Sequence, residues 1–504
     1  MRRSKRNIVI NDETRLFIQS LNEPACNKEF NYHSCVSLGD VRVSKTETQR
    51  QYRQSDTRYD SYEMYDKLTG YIQSGSSTLS TNYPYEQSVL DRYFKSNCLF
   101  DMQVHFGKCE NTPGNFAKFD KAMIFKGVEL TSYGISALIA SDSASRSKVT
   151  ESTDFTFDTM YEVSRPNFIL FEENIVNDGP IIDSFIFCGD GLCIDCIGGN
   201  TRYFVQLVSC GDDCQLVRVI YTNDLGNTWR VHNINICDAI TCNQNINTNL
   251  IENGNDIYYF GLNFSLGRTL HQILNNSLNI IESSQIVNTD INRAFQKYNT
   301  IFYVGNHGRI FISEDGNFNR IIHSKLSVAN DILSIHSLDG SNFIAGSDDG
   351  KVFFGDTDGN IDYLVIPNSG NVNAVEMISD CSYVASTGLS GGITIRNGKV
   401  ERMKGIHGTI TKFAFFNEDI GYSVSVSGNR NHIWQTVDGG KHWQEVDNYL
   451  STNYVVTAFN ICPENHNILT IAGRKMESSV TIEEMLNLQL NWNCLGSGFI
   501  YMTK

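Results

Sequence analysis

The stretch Lys121–Val163, KAMIFKGVELTSYGISALIASDSASRSKVTESTDFTFDTMYEV, reads as two long strands joined by a polar Ser/Ala/Asp loop. In the second strand Lys148, Thr150, Ser152, Asp154, Thr156 and Asp158 fall on one face, and Val149, Phe155, Phe157 and Tyr161 on the other. One wet and one dry face belong to an antiparallel sheet packed on a single side. A strand wet along its whole length suits a sheet lining a water-filled space.

Outward from this stretch the composition is that of an all-β chain. Its 504 residues hold 39 glycines, only 7 prolines and 11% aromatics, a mixture suited to short strands and tight turns. The length predicts two domains, 1–165 and 166–504, divided at Arg165-Pro166. A net charge of −15 argues against non-specific attraction to nucleic acid or anionic membrane. Met1-Arg-Arg-Ser-Lys-Arg6 is basic, but no apolar core follows it, so no signal peptide or membrane span is expected. Synthesis in a cytoplasm follows.

The front domain is expected to run strand, loop, strand, helix, strand, then the long pair. Val36–Val43 and Leu68–Asn82 read as strands, and Leu99–Phe106 as a third. Val89, Leu90, Tyr93 and Phe94 take helical spacing within Tyr85–Asn97. Between the first two strands, Ser44–Tyr65 is almost wholly polar and reads as a long functional loop, with Arg50, Arg53 and Tyr59 along it.

Phe125-Lys-Gly-Val-Glu-Leu-Thr-Ser-Tyr133, a loop, then Thr150-Glu-Ser-Thr-Asp-Phe-Thr-Phe157 resembles the paired strands of tail-tube proteins, the superfamily of phage tail tubes and the type VI secretion tube. The resemblance covers about a third of the chain. It implies a β-sandwich or barrel with one helix, whose copies form stacked rings. Ser44–Tyr65 would then reach the neighbouring ring, and Thr150, Ser152, Asp154, Thr156 and Asp158, together with Thr131–Tyr133, would line the lumen.

Beyond residue 165 the sequence repeats. Apolar strand cores begin at Tyr203, Ile257, Ile301, Phe343, Tyr383, Tyr422 and Ile468, separated by 54, 44, 42, 40, 39 and 46 residues. That period fits four-stranded propeller blades, and seven of them. Thr222-Asn-Asp-Leu-Gly-Asn-Thr-Trp229 and Thr436-Val-Asp-Gly-Gly-Lys-His-Trp443 match the S/T-x-D-x-G-x-x-W turn, the Asp box. Their key positions are Thr222, Asp224, Gly226 and Trp229, and Thr436, Asp438, Gly440 and Trp443. Ser313-Glu-Asp315 and Asp356-Thr-Asp358 through Tyr363 are worn copies. In such a turn Asp accepts backbone N–H bonds, Gly takes positive φ and the aromatic is buried, which makes it a staple and not a catalytic device. The repeats resemble the sialidase-type, or BNR-repeat, propellers. A strand from Phe168–Phe187 is expected to close the ring beside the last blade, which carries a helical insertion at Thr481–Leu490 and ends on Gly498–Met502.

No catalytic constellation accompanies these motifs. A sialidase resemblance implies three clustered arginines, a Tyr–Glu nucleophile pair and an Asp acid, whereas the arginines here are scattered and the Arg-Ile-Pro entry motif is absent. Cys193-x2-Cys196 and Cys210-x3-Cys214 approach a four-thiolate zinc spacing, with free thiols or disulfides as the alternative. No other metal and no cofactor is expected. The sequence therefore predicts a non-enzymatic virion structural protein: a tail-tube subunit of a bacteriophage, carrying an outward-facing propeller. Its partners would be copies of itself, other tail proteins, and DNA sliding through without specific binding. The alternatives are a propeller module that binds a glycan or host receptor from a tail or baseplate adaptor, and an Asp-box assembly factor.

Overall fold

The computed structural model describes residues 14–20, 31–35, 37–52, 61–76, 94–95, 99–106, 119–138, 148–187, 201–209, 215–234, 248–253, 256–263, 268–274, 280–286, 291–297, 300–314, 317–322, 330–366, 369–388, 391–462, 465–490 and 496–503. They fall into two compact units, Met1–Arg165 and Pro166–Lys504. Both are built almost entirely of antiparallel strands. Among the described residues no helix is long and apolar enough to cross a membrane.

The first unit contains β1 (Thr14–Ser20), β2 (Asn31–Cys35), β3 (Ser37–Tyr52), β4 (Ser61–Ser76), β5 (Phe100–Phe106), β6 (Lys121–Leu130), β7 (Gly134–Leu138), β8 (Lys148–Phe157) and β9 (Thr159–Ser164). The long strand pair read from Lys121–Val163 is present as one bent hairpin. Its lower half pairs β6 with β9, Lys121 opposite Ser164, and its upper half pairs β7 with β8, Gly134 opposite Ser152. The bend falls at Gly127, whose φ is +64°, and at Asp158, whose N–H donates to the Lys126 carbonyl at 2.9 Å. A Cβ on Gly127 would run into the Asp158 carboxylate, so the position requires glycine.

Because it bends, the hairpin carries two halves of one nine-stranded sheet, which β6 joins by pairing Leu130 with Phe155 of β8. Its lower half continues β2-β1-β5-β6-β9, and its upper half continues β7-β8-β4-β3. Strands that turn a corner from one sheet to another pack the two inner faces on each other. Phe100, Met102 and Val104 meet Phe125, Val128, Leu130, Phe155 and Phe157 in that core. The Phe125 ring stands edge-on to Phe155 and Phe157 at 5.3 and 5.1 Å between centroids, the favoured aromatic arrangement.

One expectation is corrected here. Ser44–Tyr52 and Ser61–Tyr65 are strand and not loop. Ser44, Arg50 and Tyr65 lie within β3 and β4, which pair from Ser37 opposite Gly75 out to Tyr52 opposite Ser61; Arg53 and Tyr59 lie outside the described residues. The polar run is the shaft of a sixteen-residue-per-strand hairpin. Strand formers Thr, Tyr and Gln carry it, and without an apolar face it leaves no period-two signal to read. Arg50 opposite Glu63 is the kind of facing charge pair that favours such a ladder. Of the helix expected at Tyr85–Asn97, only Phe94 and Lys95 are described; both are helical and exposed.

The second unit is a propeller. Among its described residues are seven four-stranded antiparallel sheets, six of them made of consecutive strands. The innermost strands are Ile181–Phe187, Thr248–Asn253, Ile291–Lys297, Ile332–His336, Val375–Ser379, Thr409–Phe415 and Tyr454–Cys462. Each packs on the next, and the last packs on the first, so the sheets form a circuit. All seven repeat cores read from the sequence fall on the second strand of a sheet. The exception to consecutive order is the seam: β10 (Phe168–Phe171) supplies the outer strand of the last sheet, pairing Phe168 with Thr503 and Phe171 with Ile500. Both chain ends of the unit are thus tied into one sheet, as expected for ring closure. The helix α1 (Ile482–Leu490) interrupts that sheet and opens with a capping box, in which the Thr481 N–H donates to Glu484 at 2.8 Å and the Glu484 N–H to Thr481 Oγ1 at 3.2 Å.

Candidate functional site

In the first unit the candidate surface is the outer face of β8. Phe155 and Phe157 are buried, Asp154 and Asp158 exposed and Thr156 half-buried, so the alternation expected there is present over 153–158. Thr150 and Ser152 stand in phase with them along the strand. Thr131–Tyr133 forms a bulge against this strand. The N–H groups of Thr131 and Ser132 both donate to the Asp154 carbonyl, at 2.8 and 3.2 Å, and Ser132 Oγ donates to the Asp154 carboxylate at 2.6 Å. The structure thus brings Asp154 and the 131–133 segment together at one rim.

Two of the four box-like turns share one geometry. At Thr222–Trp229, Thr222 Oγ1 donates to Asp224 at 2.8 Å and accepts from the Gly226 N–H at 2.9 Å, while the Thr228 N–H donates to the Asp224 carboxylate at 2.9 Å. At Thr436–Trp443 the equivalent bonds are 2.9, 3.1 and 3.0 Å, the last from the His442 N–H. Gly226 and Gly440 have φ of +83° and +86°. Both turns join the third and fourth strands of a sheet. They differ in depth: Trp443 is 1% exposed, with Phe413 and Phe415 beside it, whereas Trp229 is half-buried and Leu225 at the turn tip is exposed.

The worn copies depart from the pattern. Asp358 is not the acceptor; Asp356 is, taking the Asn360 N–H and side-chain amide at 2.9 and 2.8 Å. Tyr363 is 55% exposed and not a buried staple. Only four residues, 357–360, separate the two strands here, against seven in the well-formed turns, so the acceptor carboxylate sits at the strand end and Tyr363 falls within the fourth strand, facing outward. Ser313 is the penultimate residue of a third strand, Ile310–Glu314, in another sheet; Asp315 lies outside the described residues. Cys193, Cys196, Cys210 and Cys214 also lie outside them, so no structural statement attaches to a zinc site there. Cys381 and Cys462 are disulfide-bonded.

Sequence reading missed the contacts that join neighbouring sheets around the ring. The Met377 N–H donates to His336 Nδ1 at 3.1 Å, and the Phe415 N–H donates to Glu376 Oε1 at 2.8 Å, each reaching from one innermost strand to the next. Burial pushes the His336 imidazole down to about 3, with Lys297 adding to the shift, and pushes the Glu376 carboxyl up to about 8. Both are neutral at pH 7, so their 4.0 Å approach is a contact of uncharged groups and not an ion pair. At the seam, buried Arg202 donates to the Thr503 carbonyl at 2.9 Å, and burial lowers its guanidinium to about 10.

Between the fourth and fifth sheets a cavity of about 700 Å³ opens among three hairpins. Phe354 and Tyr383 stand edge-to-face in its wall at 5.1 Å, and Asp356, Asp362 and Asp380 lie around its mouth. Among the described residues no lysine, arginine or histidine lines it.

No protein-family model matches the chain, and no curated protein is similar to it. Solved structures are similar in fold. One described as the structure of U3-55K has 8% identity, covers 67% of this chain and 98% of its own, and gives a TM-score of 0.46. One described as YCF48 bound to D1 peptide has 13% identity, coverage of 68% and 98%, and a TM-score of 0.45. A mitotic checkpoint complex has 12% identity, coverage of 59% and 90%, and a TM-score of 0.42. These neighbours are propeller folds. At such identities they carry no argument about function, and the propeller assignment here stands on strand order and ring closure.

Proposed function

We propose that the chain is a virion structural protein, a tail-tube subunit whose first unit assembles with copies of itself while a seven-bladed propeller stapled by Asp boxes of the BNR kind rides outside. The observation that carries this reading is the state of the sheet borders in the first unit. Among the described residues β2, β9, β3 and β7 each have a single hydrogen-bonded neighbour. Open strands are templates for pairing with another chain, and a subunit that closes rings uses them so. The β3–β4 hairpin gives a polar arm of the kind that would reach a stacked ring. The exposed Asp154 and Asp158 add negative charge to the face assigned to the lumen, which would let DNA pass without sticking. Catalysis has no part in this reading.

Partners on this reading are copies of the chain and other tail proteins, and the site of action is the virion. Negative-stain microscopy of the purified full chain at high concentration tests it. Rings or tubes are the expected result; single particles at every concentration would sink it.

A further inference from the structure

We propose that the cavity between the fourth and fifth sheets of the propeller is a binding site for an arginine side chain presented by a peptide segment of a partner protein. The argument starts from charge. Asp356, Asp362 and Asp380 line one cavity that, among the described residues, no basic residue lines. The Asp356 carboxylate is engaged by Asn360 within its own turn, and among the described residues Asp362 accepts the Tyr363 N–H at 2.8 Å and no other bond. Asp380 is exposed, and its backbone carbonyl, not its carboxylate, takes the Tyr383 hydroxyl at 2.7 Å. Asp362 and Asp380 therefore keep acceptor capacity directed at whatever enters.

Size and shape choose among cations. A volume of about 700 Å³ is far more than an ion needs and matches a short peptide segment. The three carboxylates do not converge within 4.8 Å of one another, as ligands to one metal would. A planar guanidinium instead bonds separated carboxylates through its five donors and stacks on aromatic faces, here offered by Phe354 and Tyr383. Burial, together with Asp380 and Asp339, holds the Tyr383 phenol above its ordinary range, so its ring stays uncharged. A neutral sugar could use the same acceptors but leaves the three negative charges uncompensated.

The test is calorimetric titration of the full chain with a capped Gly-Arg-Ser-Arg-Gly peptide and with its lysine and citrulline versions. Citrulline keeps the shape and removes the charge. The expected result is binding by the arginine peptide that weakens on the order of tenfold or more with citrulline, with lysine, and in Asp380→Asn. Asp362→Asn is the second variant, and both are exposed positions whose folding is checked by circular dichroism. Equal affinity for the lysine peptide, binding indifferent to both substitutions, or no arginine-dependent binding at millimolar concentration would overturn the proposal. So would a glycan that binds and is lost in Asp380→Asn. A failure here leaves ring formation by the first unit untouched, because that is read separately by microscopy.

Discussion

The two units solve the same problem in opposite ways. A sheet has borders, and unpaired borders must be tied, covered or shared. The second unit ties its own: β10 closes on the last strand of the chain, and the innermost strands complete a circuit. The first unit leaves four strands with one neighbour each among the described residues. What the difference teaches is a division of labour within one polypeptide. A closed ring folds to a finished object, whereas on the proposed reading the open strands of the first unit are paired by copies of the chain.

The sharpest way to break this comparison is to remove the arm. Deleting Ser44–Tyr65 joins Val43 to Asp66, close to the register pair Val43 and Gly70, so the rest of the β3–β4 ladder can re-form over a short turn. The expected outcome is complete loss of tubes by microscopy with an unchanged thermal transition of the propeller. Normal tubes from this deletion would remove the hairpin from assembly.

The next effect tests the ring itself. Glu376 is uncharged when folded, with its carboxyl raised by burial to about 8 from 4.5. A raised carboxyl contributes stability that is full below pH 4.5 and falls away as pH rises to about 8. The displacement corresponds to roughly 5 kcal/mol across that window. Glu376→Gln keeps an acceptor for the Phe415 N–H and cannot ionise. It should therefore unfold at higher urea than the parent at pH 9 and at the same urea at pH 4. A parallel shift at both pH values would show that the carboxyl does not ionise on unfolding.

How much of this was legible follows from how local each signal is. The blade period was readable because every second strand, from Tyr203 to Ile468, is an apolar run between turns, and one pattern repeats seven times. The bent hairpin was readable because Phe155 and Phe157 alternate with Asp154 and Asp158. The β3–β4 shaft was not, because a strand polar on both faces looks like a loop until its partner is known. His336 and Glu376 were not either. Each acts on a backbone N–H some forty residues away, and nothing next to them in sequence marks that reach. The worn turn at Asp356 failed for a finer reason: one pattern position separates Asp356 from Asp358, and composition cannot tell which carboxylate the turn uses.

Within the propeller, the two well-formed turns offer an internal contrast. Trp443 is fully buried between aromatic neighbours and donates its indole N–H to the Gly440 carbonyl at 2.7 Å. Trp443→Ala should cost about 3–5 kcal/mol in chemical denaturation, the usual range for emptying a large aromatic site. Half-buried Trp229 has solvent on one side, and Trp229→Ala should cost roughly half as much. Equal losses would mean that depth in the sheet does not set the strength of the staple.

The smallest expected effect concerns the acids of the same turns. Burial works against the Asp438 carboxylate, but hydrogen bonds from His442 and Thr436 and the His442 charge outweigh it and hold its pKa down. At half-buried Asp224, burial likewise raises the carboxyl, but bonds from Thr228 and Thr222 outweigh it and hold its pKa down. A depressed carboxyl contributes stability above its unfolded value and loses it as pH falls through the folded one. Each Asp→Asn exchange should therefore matter at pH 7 and lose its effect as pH falls below the ordinary 3.8 and through the lowered folded value. Asp438→Asn is expected to cost about 1.5–3 kcal/mol, since it leaves the half-buried His442 imidazole without its charged partner, and Asp224→Asn about 1 kcal/mol or less. Urea midpoints of the two variants at pH 7 and at a series of lower pH values check both the order and its narrowing on acidification. If Asp224→Asn proved the costlier, the outer turn of the first sheet, beside the seam where the ring closes, would be the point that holds the propeller together.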